Sequence, residues 1–217
     1  MTRSAFDPSF EEIVREIPIF PLGGVLLLPG GKLPLNIFEP RYMAMVDDAI
    51  KGDRLIGMIQ PSEEDCGEAP PKVYETGCVG RLSAFSETDD GRFLITLSGL
   101  IRFDVEAELE TKSYRRVRAN YDRFRDDLDV DPGGINRDRL LKALGAYFEA
   151  NSIEGDWDTI EKTADERLVN SLAMICPLAA PEKQAVLEAI TLPERCETLT
   201  AIMEMAAHTP SGDAATH

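Results

Sequence analysis

Residues 100–106 constrain this chain most tightly. Ile101, Phe103 and Val105 alternate there with Arg102, Asp104 and Glu106, the two-residue period of a strand with one buried face. A short apolar run at residues 93–97 precedes it, opened by Asp89-Asp90-Gly91, a strong turn sequence, and closed by Ser98-Gly99, which either separates two strands or marks a bulge. Residues 82–85 are then placed to pair across the turn. Further strands are expected at residues 17–20, 25–28, 33–37, 55–59, 73–79 and 116–121, punctuated by glycine and proline as in a barrel or sandwich.

One helix interrupts this β-rich half. Pro40 suits the first helical position after Glu39, and Tyr42, Met45, Val46, Ala49 and Ile50 form an apolar stripe that ends at Gly52. From residue 121 to 136 the composition turns to arginine, aspartate, proline and glycine, and residues 123–135 read as a linker. Beyond it the spacing is helical. Asn136 can cap a helix carrying Leu140, Leu141, Leu144, Tyr147 and Phe148. Thr163-Ala164-Asp165-Glu166 fits a capping box before Leu168, Leu172 and Ile175, and Pro177 stops that helix. Pro181 and Pro193 open two more. The expected organisation is a flexible segment at 1–14, a β domain at 15–122, the linker, a four-helix bundle at 136–207 and a disordered tail at 208–217.

The charge balance of −16 argues against nucleic acid as the partner, because phosphate affinity comes largely from lysine and arginine. The longest apolar runs fall far short of the ~20 residues needed to span a bilayer, and residues 1–16 carry too many charges for a signal peptide, so a cytoplasmic protein is expected. Cys66, Cys78, Cys176 and Cys196 lack the close pairing of structural zinc sites, and the histidines, His208 and His217, lie at the carboxy end. No metal and no cofactor are expected.

The most distinctive stretch runs Ile17-Pro18-Ile19-Phe20-Pro21-Leu22, then Leu28-Pro29-Gly30-Gly31-Lys32-Leu33-Pro34-Leu35-Asn36-Ile37-Phe38-Glu39-Pro40-Arg41-Tyr42. It resembles the Lon amino-terminal domain family, most closely its free-standing bacterial members. The resemblance continues through Gly77-Cys78-Val79-Gly80, residues 96–103 and residues 178–184. It implies an α+β fold, a PUA-like β pseudo-barrel with one inserted helix followed by a small helical bundle. It also implies a non-catalytic module that binds polypeptide substrates or a protease or chaperone partner, as an adaptor in protein quality control. The chain has no room for the ATPase and serine-lysine peptidase modules of a Lon protease. Its nearest approach to a phosphate loop, Gly31-Lys32, has Leu26 where a glycine belongs and Leu33 where serine or threonine belongs.

Phe38, Glu39, Arg41 and Tyr42 are the candidate polypeptide contacts, since they gather an aromatic ring, an acid, a guanidinium and a phenol at a helix start. The competing reading makes Glu39 a helix cap and Arg41 a brace for a neighbouring loop. A second hypothesis, RNA binding by a PUA-like domain, rests on Arg115, Arg116, Arg118, Arg123 and Arg125, with Arg116 and Arg118 as its test positions. Asp122, Asp126 and Asp127 interleave with that cluster and count against it. A third, hydrolysis through Glu63, Glu64 and Asp65 or through Cys78, lacks any nearby histidine to serve as base.

Overall fold

The turn at residues 89–91 joins two long strands. Gly91 takes a positive φ of 79°, and Thr88 and Arg92 close the turn through a backbone bond of 2.9 Å. The computed structural model describes residues 6–62, 71–110, 113–129 and 134–208. Within them lie β1 (Glu16–Pro21), β2 (Lys32–Ile37), α1 (Pro40–Lys51), β3 (Leu55–Ile59), β4 (Thr76–Glu87), β5 (Phe93–Glu108) and β6 (Arg116–Asn120). The helical half contains α2 (Arg137–Ala150), α3 (Trp157–Lys162), α4 (Asp165–Ile175), α5 (Ala180–Glu188) and α6 (Leu192–His208).

The sheet order is β2-β5-β4-β3-β1-β6, and β5 returns to pair with β6, which closes the pseudo-barrel. β1 and β3 run parallel, while the other pairs are antiparallel. β2 stays outside the closed ring, bonded to the first half of β5 alone. Leu82 pairs with Leu97 and Phe85 with Ile95, as expected across the turn. The register slips between Val79 and Gly80, opposite Ile101 and Gly99, so residue 100 is the extra one. The expected interruption at Ser98-Gly99 is therefore a bulge in one continuous strand.

Residues 25–28 do not form a strand. Gly24 and Gly30 turn the chain with φ of 72° and 71°, and Leu26, Leu27 and Leu28 are buried as a plug against the barrel wall. Gly99 makes this possible, because a Cβ there would lie 2.1 Å from the Leu28 carbonyl oxygen. Residues 73–75 also precede β4 instead of belonging to it, although Val73 makes an isolated bridge with Pro61.

Two apolar clusters form the core. One fills the barrel with Ile17, Ile19, Val79, Ile101, Phe103 and Val117. The other is shared between the halves and joins Leu27, Met45, Met58 and Leu97 to Leu144, Val169, Val186 and Leu199. The alternation at residues 100–106 differs from expectation here. Ile101 and Phe103 face the barrel, but Arg102 on the opposite face is only 1% exposed because the helical half covers it. All five of its N–H donors are used: Nε and one Nη reach the Asp127 carboxylate at 2.9 and 2.7 Å, and the others reach the carbonyls of Leu187, Ala189 and Ile190.

The segment expected as a linker is part of this structure. A 3-10 helix at Asp122–Leu128 buries Phe124 to 1% exposure and carries Asp127, while residues 130–133 lie outside the described residues. The expected flexible amino-terminal segment is likewise anchored from residue 7. Asp7 pairs with Arg81 at 2.9 Å, the Arg125 guanidinium lies 4.4 Å above Phe10, and Ile13 is buried. Of the expected tail, only His208 is described, as the last residue of α6.

Five helices are described where four were expected, the addition being the short α3. Thr163 does not cap α4. Its hydroxyl donates to the Thr159 carbonyl at 2.7 Å, and Ala164 holds the cap position. A reciprocal box forms instead at α6, where Glu194 accepts from the Thr191 N–H at 3.1 Å and the Thr191 hydroxyl accepts from the Glu194 N–H at 3.3 Å.

Truncation of Arg102 to alanine strands the buried Asp127 carboxylate and three carbonyls. Urea unfolding should show a loss of about 3–5 kcal/mol, the usual cost of removing one partner of a buried pair. A loss below about 1 kcal/mol would show that the halves are joined without need of this pair.

Candidate functional site

β5 changes character along its length. Residues 99–103 are buried on both faces, whereas from Phe93 to Ser98 buried Ile95 and Leu97 alternate with more accessible neighbours. β4 mirrors this, buried from Thr76 to Gly80 and exposed from Ser83 to Glu87. The first half of β5, the second half of β4 and β2 thus form a three-stranded extension with one face uncovered.

On that face Pro34, Thr96 and Ala84 make one cross-strand row, and Asn36, Leu94 and Ser86 the next. They line a shallow groove of about 460 Å³ whose floor includes the intervening row Leu35, Ile95 and Phe85, with the side chains of that row on the opposite face. Leu94 is 48% exposed and Phe85, stacked edge-on against Phe93 at 5.0 Å, is 39% exposed. Short side chains beside an exposed leucine can receive apolar side chains from a partner.

Phe38 follows β2 directly and is 64% exposed. Its three companions in the candidate quartet separate from it. Tyr42 turns into the core, 8% exposed and 4.2 Å from the ring of Phe20. The Glu39 carboxylate makes no side-chain cap bond and is held by Arg41 at 2.8–2.9 Å, so Arg41 braces Glu39 within its own turn. The Arg41 guanidinium also lies 4.5 Å over the Tyr42 ring.

The arginine cluster forms no basic face. Arg116 and Arg118 share the Glu16 carboxylate at 3.4 and 3.2 Å, Arg123 pairs with Asp104 and Arg125 with Glu11, each at 3.3 Å, and Arg115 pairs with Glu108. Beside Arg116 a polar cleft of about 300 Å³ is lined by Glu16, Asp48, Arg54 and Tyr114. The Tyr114 hydroxyl donates to Asp48 at 2.6 Å, and burial, aided by that carboxylate, pushes the phenol up to about 12.

A third cavity, of about 290 Å³, lies between barrel and helices, bounded by Arg102, Phe124, Asp127, Glu166 and Arg195. Burial, together with nearby Arg102, lowers Arg195 to about 10, still cationic at neutral pH, and it donates to Asn170 at 2.9 Å. The candidate nucleophile Cys78 is 1% exposed, and burial first, then Asp127, pushes its thiol well above the ordinary range. Glu63, Glu64, Asp65 and Cys66 lie outside the described residues. Among the described residues no three His, Cys, Asp or Glu side chains gather as a metal site, and no helix is long and apolar enough to cross a membrane.

The sequence reading missed the groove. Pro34 was its one local signal, since proline within a strand marks an edge. Nothing local showed that Leu94 points outward, because both faces of residues 93–97 carry apolar or ambivalent residues.

Two tests follow from these surroundings. Replacing Arg116 and Arg118 by glutamine should cost less than about 1 kcal/mol, as for exposed pairs, and neither protein should retard short RNA. Retardation by the wild type that the double variant loses would restore the RNA reading. Tyr114 titrates near 10 when unfolded and near 12 when folded. Its contribution is therefore complete below pH ~10 and lost as pH rises toward ~12, and Tyr114→Phe should flatten that part of the alkaline limb in urea melts.

Residues 16–205 match the family model described as the ATP-dependent protease La (LON) substrate-binding domain. Lon protease 2 of Myxococcus xanthus is 26% identical over 199 residues, which cover 89% of this chain and 24% of that protein. Lon protease of Anaeromyxobacter dehalogenans is 27% identical over 199 residues, covering 89% of this chain and 23% of the other. The chain thus spans about a quarter of the length of these relatives. The same fold is seen in the Lon N-terminal domain protein from Xanthomonas campestris, with a TM-score of 0.62 at 20% identity over 87% of this chain and 98% of that one. The N-terminal domain of the Mycobacterium avium complex Lon protease gives 0.63 at 14%, over 87% and 97%. With the barrel, the inserted helix and the helices after it, to all but the end of the last, inside the matched span, the chain belongs to the Lon substrate-binding domain family.

Proposed function

We propose that this chain binds extended, unfolded polypeptide, and that the uncovered face of the β2–β5–β4 extension is where it does so. The observation that carries the reading is the groove itself, with Leu94 exposed among short side chains and Phe38 beyond the end of β2. Family membership supports the same role. In this reading the barrel and the helices are the rigid support, and Glu39 and Arg41 fix the turn that presents Phe38. The partner is a polypeptide substrate, and the role is non-catalytic, that of an adaptor that holds unfolded chains for a protease or chaperone.

Leu94→Asp tests it. Leu94 is half exposed, so the fold should tolerate the change, while the groove loses an apolar contact worth about 1–2 kcal/mol. In fluorescence anisotropy with a reduced, unfolded polypeptide the variant should bind about tenfold more weakly at an unchanged melting temperature. Equal binding by wild type and variant, or none by either, would remove the groove from consideration.

A further inference from the structure

β2 is an edge strand, and edges invite strand addition. Its backbone argues otherwise. The Gly99 N–H donates to Gly31 at 2.9 Å, and the regular register that follows assigns Leu33, Leu35 and Ile37 to the bonds with β5. Lys32, Pro34 and Asn36 then direct their backbone groups to the open side. Pro34 has no N–H and stands at the centre of that row, so an added strand finds donors only near the two ends. The adjoining face keeps full access, with short side chains at Ala84, Ser86 and Thr96 around Leu94.

Charge is distributed unevenly along the extension, with Glu87, in the row of Phe93, on the face opposite Leu94. The hairpin tip at residues 87–92 sets the carboxylates of Glu87, Asp89 and Asp90 against the single guanidinium of Arg92. Asp90 is bound to Arg92 at 2.5 Å, while the Glu87 and Asp89 positions are exposed. Lys32 lies at the far end of β2, opposite Ser98, away from the tip. The chain as a whole carries −16. A bound segment therefore meets negative potential where the groove runs out to the tip.

Resting on the polypeptide-binding reading, we infer that the groove takes its polypeptide by side chains laid on the sheet face, without strand addition, and selects apolar segments flanked by lysine or arginine over those flanked by acids. The occupant is an extended apolar-basic peptide. Its apolar side chains sit beside Leu94, among Ala84, Ser86 and Thr96, and its cationic flank lies toward the acidic hairpin tip at Asp89.

The experiment uses the full chain and short labelled peptides of alternating leucine and serine, one ending in a lysine pair and one in a glutamate pair. Two more copies of the lysine peptide carry N-methyl groups on alternate backbone nitrogens, one for each peptide edge. At low salt the lysine peptide should bind about tenfold tighter than the glutamate peptide, with the gap closing at high salt and in Glu87→Gln/Asp89→Asn. Both methylated copies should bind within about threefold of the parent. Pro34→Ala, which restores the outward N–H, should make one of them bind measurably worse than the parent. Equal affinity for the lysine and glutamate peptides, or loss of binding on methylation in the wild type, overturns this inference and leaves polypeptide binding standing. Failure of every peptide to bind overturns both.

Discussion

A guanidinium buried to 1% exposure keeps its charge only where its donors are fully used, and Arg102 uses five across three parts of the chain. The acceptors are one carboxylate from the 3-10 helix and three carbonyls at the end of α5 and just beyond it. Those carbonyls would otherwise be orphans of a helix terminus. The Arg102 guanidinium also lies 4.3 Å over the Phe124 ring, so the segment leaving the barrel is held by packing as well as by charge. Such a pair contributes less to net stability than to uniqueness, because alternative packings leave a buried charge unmatched. The orientation of the helices on the barrel follows from it.

A second seam acts in the same sense. Gln60, 1% exposed after β3, donates to the Ala180 carbonyl and to Gln184, each at 3.1 Å, and Gln184 donates in turn to the Thr76 carbonyl at 3.2 Å. Lys183 reaches the Gly24 carbonyl at 2.8 Å, and Asn170 reaches Pro29 at 3.1 Å, so the buried loop from residue 24 to 30 is fastened from above. These contacts lie over the second half of β5 and the first half of β4. The rest of the long hairpin, with β2 beside it, is left outside the covered zone. The open groove is thus a product of where the helices are anchored.

Much of this architecture was legible in local pattern. Strand positions, the turn at residues 89–91, the helix from Pro40 and the prolines that open α5 and α6 all depend on near neighbours in sequence. What was not legible depends on coverage from afar. Arg102 alternates with Ile101 and Phe103 as a solvent-facing residue would, and its burial is explained by Asp127 and the carbonyls of Leu187, Ala189 and Ile190. Residues 25–28 read as a strand because an uninterrupted apolar run has no period, and Gly99 lets them pack against the barrel wall instead. The candidate quartet is split by the fold. Phe38 is exposed beside the open strand, whereas Tyr42, at the same helix start, belongs to the apolar stripe of α1.

The distribution of charge completes the picture. The arginines that suggested a basic surface are each matched to a carboxylate contributed by another part of the chain, as with Glu16 on β1 serving both Arg116 and Arg118 on β6. Local composition could not reveal this, because the matching acids lie up to 114 residues away in sequence. Since the basic side chains are consumed in this way, the surplus of acid is what the surface presents to a partner, and encounter is biased toward neutral or cationic segments before any contact forms. Affinity must then come from apolar burial at the uncovered face. Long-range charge would choose among chains, and Leu94 and its short neighbours would hold the one chosen.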